Sequence, residues 1–441
     1  MRILACGDAL FSSRNLVNRL DPALVSELAG ADAVFANAEF CCPAYERPPM
    51  PRPFLTAVRQ EVLDEFRDLN IKLVSFANNH TGDFGWEGAV DTIVAAESRG
   101  LIPCGVGRSL EEARAARFLD TPKGRVGIVA ASSTRSNEFR ASSAGTGIPA
   151  RAGLNPLRWG RAFVLPDREF GQLRQIDELL GTAASLREVI RVEAMPDPGP
   201  DVIKFGSLYE GSVLVERGDR AHVRYFVNQR DCDAILDNVR DAAARSDHAL
   251  VSLHTHEGVD ENWYSPRAPA FIEDFARATI DAGAAAFLGH GPHMLRGIEI
   301  YKGRPIFYSL GSLLMEFEAG EQRMSPEMYE NYGLKKDALP SHLHMSRAQD
   351  AAGRPIGFNA DPRFSMGCVA VCDFKGDGTT VKLLPLDLDL NRARHAERGV
   401  PAVASKELGA EIARHMERMS EAYGTKMIYR EGEGTISVQR G

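Results

Sequence analysis

One short run constrains this chain more than any other. Residues 284–288 (AAAFL) are small and apolar throughout, as suits a strand buried on both faces, and the run stops at Gly289-His290-Gly291-Pro292-His293. A strand of that kind points to an α/β protein whose sheet is covered by helices. Two histidines leaving a strand into a Gly/Pro loop are directed by a rigid element and are neutral near pH 7, so they are candidate metal ligands. The plainer reading is a pair of loop histidines with structural hydrogen bonds. Residues 298–310 follow as two short strands turning at Lys302-Gly303-Arg304.

The same pattern recurs along the chain. Residues 3–6 read as a strand followed by Gly7-Asp8, with Arg14 six residues on. An acid past a buried strand sits where open α/β sheets place their chemistry, although a cap or turn role also fits Asp8. Residues 31–35 read as a second strand, and the Asn37-Ala38-Glu39 that follows would aim Asn37 and Glu39 at one spot if extended. After an amphipathic helix over 56–69, a third strand at 72–77 ends in Asn78-Asn79-His80-Thr81-Gly82-Asp83, where Asp83 reads as the cap of a helix over 85–98. The alternation continues through 101–106, a helix at 109–116 and a strand pair at 118–121 and 125–131. A helix over 231–245 leads to a strand at 248–253 that ends in His254-Thr255-His256-Glu257. On extended backbone His254 and His256 share a face, which is not the helical HExxH arrangement. Five strand ends thus carry Asp8, Glu39, Asn79/His80, His254/His256 and His290/His293. Imidazole nitrogens, carboxylates and one amide oxygen suit Mn²⁺, Fe²⁺, Zn²⁺, Ca²⁺ or Mg²⁺ in one or two sites.

Two stretches interrupt this order. In 132–227, a Ser/Gly/Arg-rich loop precedes Gly153-Leu154-Asn155-Pro156-Leu157-Arg158-Trp159, read as a substrate-facing loop offering Arg158 and Trp159, and a hairpin is expected from 213–217 and 222–227 around Gly218-Asp219. Residues 316–366 form a second, irregular insertion in which His342 and His344 read as solvated. The core then comprises 1–131 and 228–315, completed at 367–441 by a hairpin turning at Lys375-Gly376-Asp377-Gly378 and by a capped helix over 405–423. The formal net charge of −8 argues against nucleic acid as a partner. Seven cysteines without a CxxC pair fit a reduced compartment. With no signal peptide and no apolar run of about 20 residues, a cytoplasmic protein without a membrane anchor is expected.

Taken together, Gly7-Asp8 with Arg14, Asn37-Ala38-Glu39, ANNHTGDFG at 77–85, SLHTHE at 252–257 and GHGPHMLRGIEIYKGRPIFYSLGSLL at 289–314 resemble the CapA (poly-γ-glutamate synthesis) family, a branch of the calcineurin-like metallophosphoesterase fold. The resemblance implies a four-layer α/β/β/α sandwich. It implies that Asp8 and Glu39 bind metal, that Asn79, His254 and His290 complete one site, that His293 joins Asp8 in the other, and that His80 is an acid/base group. Leu10 stands where ordinary phosphoesterases of this fold carry a histidine, which weakens a two-metal phosphoester reading. Unanchored relatives in the family include lasso-peptide epimerases, so the resemblance further implies a peptide substrate and inversion of an α-carbon. The proton carriers would come from His80, His256, Glu257 and Asp83, with a carboxylate held by metal or Arg14. Work on γ-glutamyl polymers, as an accessory protein or amide hydrolase, and phosphoester hydrolysis are the alternatives.

Overall fold

In a computed structural model, the structure describes residues 1–52, 54–206, 211–316, 324–335, 337–376 and 378–441. The larger sheet runs, edge to edge, through Thr425–Arg430, Thr435–Arg440, Gly378–Asp387, Met366–Lys375, Arg2–Leu10, Ala33–Ala38, Leu73–Ser75 and Ile102–Cys104. Its last four strands are parallel, Ser312–Met315 also pairs in parallel with Arg2–Leu10, and the other neighbours are antiparallel. The second sheet runs through Ile298–Tyr301, Arg304–Phe307, Ala286–His290, His248–His254, Gly124–Ser132 and Arg117–Thr121, parallel at the centre and antiparallel at both edges.

The apolar faces decide how the sheets stack. Phe35, Leu73 and Ala370 of the first sheet meet Ile128, Leu250 and Leu288 of the second in one core. The outer face of the first sheet buries Val34 and Val74 against Leu63, Phe66 and Ile93 of helices Leu63–Asp68 and Gly85–Ser98. The outer face of the second buries Val251 and Phe287 against Ile235, Val239 and Phe275 of Gln229–Arg245 and Ala270–Asp281. The result is the expected α/β/β/α sandwich. Helix Lys406–Ser420 adds Ile412 and Met416 to the core between the sheets. All seven cysteines are buried free thiols. Among the described residues, no helix is long and apolar enough to cross a membrane.

Several local expectations change. The first strand extends to Leu10, so Asp8 lies within it, where the ladder is irregular. The helix expected over 56–69 is one turn of 3-10 helix at Gln60–Val62 followed by Leu63–Asp68. Val213–Arg217 and His222–Val227 are both strands but do not pair. Trp159–Leu165 lies between them, parallel to the first and antiparallel to the second. With Val202–Phe205 they form a four-stranded sheet whose own small core holds Phe170, Ile203 and Val215. The stretch 153–157 is not a free loop. Gly153–Leu154 pairs with Val106–Gly107, the Asn155 amide donates to the Ala130 carbonyl, and Leu157 joins the second helix layer's core. The second insertion contains helices Pro326–Asn331 and Pro340–Ala348, which bury Met328, Tyr329 and Leu343 together; its residues 317–323 and 336 lie outside the described residues, as does Asp377 of the expected C-terminal turn.

Gly7 marks the tightest crossing in the core. A Cβ built there would stand 1.9 Å from the Gly311 carbonyl oxygen, next to the Asp8 N–H that donates to that same oxygen at 3.0 Å. Neither backbone can retreat without breaking a ladder. Gly7→Ala should lower unfolding free energy by about 3 kcal/mol or more, read as a lower denaturant midpoint.

Candidate metal centre

Parallel pairing in register sets His254 beside His290 at the ends of neighbouring strands. The chain then turns at Gly291, whose φ of +127° and close approach to the Thr255 backbone exclude a side chain. That turn points the Gly291 N–H at Asp8 Oδ2, 2.8 Å away. His293 follows with φ +58°, a left-handed conformation that a non-glycine residue holds at a cost of about 1–3 kcal/mol and that clusters at functional sites. From the other sheet, Glu39 follows the second strand, and its N–H is bonded to the Ala9 carbonyl.

The side chains gather into two groups. Asp8, His254 and His290 each offer a ligand atom within 4.8 Å of the others, and so do Glu39, His256 and His293. Asn79 Oδ1 lies 2.7 Å from His254 Nε2, the ring nitrogen turned toward Glu39, whereas Nδ1 faces Asp8 and His290. Asp8 Oδ1 is 3.3 Å from His290 Nδ1, and Asp8 Oδ2 is 3.5 Å from His293 Nδ1. Glu39 Oε1 is 3.5 Å from His293 Nε2, 3.7 Å from His256 Nε2 and 3.9 Å from His254 Nε2. These Glu39 separations are too long for hydrogen bonds. Both Glu39 oxygens and His256 Nε2 are buried without a hydrogen-bonding partner among the described residues. Carboxyl oxygens and a ring nitrogen that converge in a buried space without hydrogen bonds to one another are what a divalent cation requires, so the residues present fit such an ion.

The electrostatics agree. Burial, aided by Asp8, pushes the Glu39 carboxyl well above the ordinary range. Burial also pushes Asp8 up, but His290 and His293 outweigh it and hold that carboxyl well below the ordinary range. Burial followed by neighbouring imidazoles holds His254 and His256 well below theirs, so both are neutral with a nitrogen lone pair to offer. The ligands are themselves held. Asn78 donates to Asn37 at 3.2 Å, Asn37 donates to Asp8 at 2.8 Å, and Ser252 Oγ lies 2.8 Å from His290 Nε2.

His80 stands next to Asn79 and is oriented separately. Its Nδ1 is 2.6 Å from Asp83 Oδ2, and Asp83 also accepts from Arg52 and from the Thr56 N–H. This corrects the cap reading of Asp83. The helix Gly85–Ser98 begins at Phe84 with no side-chain cap, because the Asp83 carboxylate is already taken.

All six expected ligands, Asn79 among them, therefore come together, but they divide differently. His256, read as a proton carrier, stands with Glu39 and His293, and His293 is as close to Glu39 as to Asp8. Glu257 accepts from the hydroxyls of Ser133, Thr134 and Thr255 at 2.6, 3.0 and 2.8 Å, so it is held in place rather than poised to carry protons. Arg14 is bound to Glu65 at 2.8 Å, where the Asn15 and Leu16 N–H groups also donate, and Arg158 to Asp231 at 2.6 Å, which Arg114 pairs as well; both guanidinium groups are thus held by buried acids. Trp159 stacks on Phe271 and donates to the Ser133 carbonyl. It also borders a cleft of about 420 Å³ with Glu257 and Trp263.

Arg52 and Arg296 carry no sequence signal that sets them apart from other arginines, and both matter. Arg296 is fully buried and donates to the carbonyls of Glu257, His256, Trp263 and Ser265 at 2.9–3.2 Å. It fixes the loop that leaves His256 and carries Trp263, whose ring lies 4.9 Å from the His256 ring.

Residues 2–316 match the family described as Bacterial capsule synthesis protein PGA_cap. The chain is 32% identical to Uncharacterized protein y4sH of Sinorhizobium fredii, over 99% of this chain and 93% of that protein. It is 27% identical to the Probable polyglutamine synthesis accessory protein of Mycobacterium tuberculosis, over 65% of this chain and 53% of that protein. Among solved structures, a novel phosphatase of Mycoplasma pneumoniae aligns over 88% of both chains with 11% identity and a TM-score of 0.36.

Glu39→Gln should weaken Mn²⁺ binding by about 100-fold or more, measured by titration of the free ion's paramagnetic signal. A carboxyl whose folded pKa is raised binds its proton more tightly folded than unfolded, so the stability tied to it falls as pH rises. Without added cation, the parent should therefore lose stability relative to Glu39→Gln as pH climbs above the ordinary carboxyl range, a trend that thermal melts at stepped pH will read.

Proposed function

The chain belongs to the bacterial capsule synthesis protein family PGA_cap, and from that premise we propose that it is a divalent-cation-dependent enzyme that inverts an α-carbon of a peptide by proton exchange, without an organic cofactor. The best candidate substrate is a ribosomal precursor peptide of the lasso kind, acted on at its C-terminal residue. The observation that carries the reading is the His80–Asp83–Arg52 relay beside a buried ligand cluster.

Asp8, Asn79, His254 and His290 would hold one cation, and Glu39, His256 and His293 a second. A cation there supplies positive charge to a substrate carbonyl or carboxylate oxygen and so acidifies the adjacent C–H. The chain's own groups move the proton. With Nδ1–H donating to Asp83, His80 keeps its lone pair on Nε2, 3.5 Å from the Thr56 hydroxyl, and this is the atom that would accept the α-proton. Asp83, itself fixed by Arg52 and the Thr56 N–H, balances the imidazolium that forms. Inversion needs a proton on the opposite face of the carbanion. Asp83 and Glu257 are committed to other partners, which leaves His256, whose Nε2 is unpartnered among the described residues. In that role His256 leaves the second cation position to Glu39 and His293 alone.

The arginines argue in the same direction. Arg14, Arg52, Arg158 and Arg296 are engaged by Glu65, Asp83, Asp231 and backbone carbonyls, so none of the four offers a free fork to phosphate oxygens. The polyglutamine-related name of the mycobacterial relative favours a second reading, cleavage or handling of γ-glutamyl amide bonds around the same centre.

Incubation with candidate peptides in D₂O, with Mn²⁺ or Ca²⁺, should place deuterium at one Cα. His80→Ala should slow that exchange by about 10²–10⁴-fold while Mn²⁺ affinity holds. No deuterium at any Cα with any cation would sink the epimerase reading. A new peptide terminus in the mass spectrum would favour amide hydrolysis, and phosphate released from an aryl phosphate would favour a phosphoesterase.

A further inference from the structure

Across the ring of Phe358 from the cation cluster lies a cavity of about 550 Å³. Phe358 stands edge-on to His293 with ring centres 6.2 Å apart, and it packs on Phe364 at 4.4 Å, with Tyr264 against both. Phe54 and Tyr332 line another part of the wall, and the Arg347 guanidinium lies 5.3 and 5.9 Å from their ring centres. The other cations here are also engaged. Arg363 is tied to Asp361, and Arg398 donates to the Arg392 carbonyl.

His344 is different. It lines this cavity at 3% exposure, and neither ring nitrogen meets a hydrogen-bonding partner among the described residues. Burial, with Arg347 beside it, brings its pKa down to about 4. It is therefore neutral at physiological pH, with one N–H donor and one lone pair unspent. Two unsatisfied polar atoms in an aromatic wall are costly unless something fills them.

We propose that this cavity is a side-chain subsite of the neighbouring centre, and that it takes an aromatic or branched apolar residue of a peptide while His344 hydrogen-bonds that residue's amide. The proposal rests on the reading of a peptide substrate and adds a side-chain preference to it. An acidic side chain would bury a charge between ring faces whose guanidinium neighbours are already engaged.

The test uses the full chain without added cation, so that binding is read apart from turnover. N-acetyl-phenylalanine amide, N-acetyl-leucine amide and N-acetyl-glutamate amide are titrated to millimolar concentration by saturation-transfer NMR. The phenylalanine and leucine amides should saturate, with the glutamate amide at least about tenfold weaker. Phe358→Ala and His344→Leu should each weaken the phenylalanine amide by about tenfold. His344→Leu should leave the melting temperature unchanged or higher, since it removes two unpaired buried atoms. Saturation by none of the three, or glutamate amide binding as tightly as phenylalanine amide, overturns the proposal. A lower melting temperature for His344→Leu with unchanged affinity does so too, since the histidine is then structural. Should the apolar amides bind as expected while no Cα exchanges deuterium, the subsite stands and the reaction assignment alone falls.

Discussion

Two carboxylates buried in one space cannot both stay charged without positive charge between them. Asp8 and Glu39 are in that position, each with no solvent exposure. Asp8 keeps its charge through His290 and His293, and Glu39 is left with ring nitrogens at distances that no shared proton spans. The surrounding structure sustains this imbalance. The parallel register sets His254 beside His290, Gly7 lets Asp8 reach the cluster past Gly311, and Gly291 brings its N–H to Asp8. Divalent ions held by the two groups would resolve the imbalance, because they would accept the lone pairs of both acids and of the neutral imidazoles.

The candidate ligands and His80 are supported by different neighbours. Asn37, Asn78 and Ser252 steady the cation cluster, whereas Arg52 and Thr56 steady Asp83 behind His80. Loss of one set need not remove the other, so the geometry of the cluster and the orientation of His80 are supported separately.

Much of this was legible along the chain because its signals are local. Short apolar runs ending in Gly, Asn, Asp or His mark strand ends, and alternation on extended backbone already put His254 and His256 on one side. What failed depended on partners far away in sequence. Arg14 looked available to a substrate, but Glu65 stands 51 positions on; Arg158 likewise meets Asp231, 73 positions on. The two strands around Gly218-Asp219 were visible, yet which strand lies between them is a matter of tertiary pairing, and Trp159–Leu165 takes that place. Asp83 has the local look of a cap, and the competing His80, Arg52 and Thr56 contacts appear only on folding. His344 read as solvated because its surroundings in sequence are irregular, but the helix Pro340–Ala348 turns it inward with Leu343.

Arg296 ties both ends of the 256–265 loop to a buried point by four backbone carbonyls. The loop's path is thereby independent of the side chains it displays, and Trp263 and Tyr264 project from it half exposed. Exchanging the Tyr264 ring, which packs on Phe358 and Phe364, alters what the neighbouring cleft accepts, whereas Trp263 also packs on His256. In a chain built this way, new substrate preferences can evolve by single replacements on a fixed arch, while the charge centre beneath it stays intact.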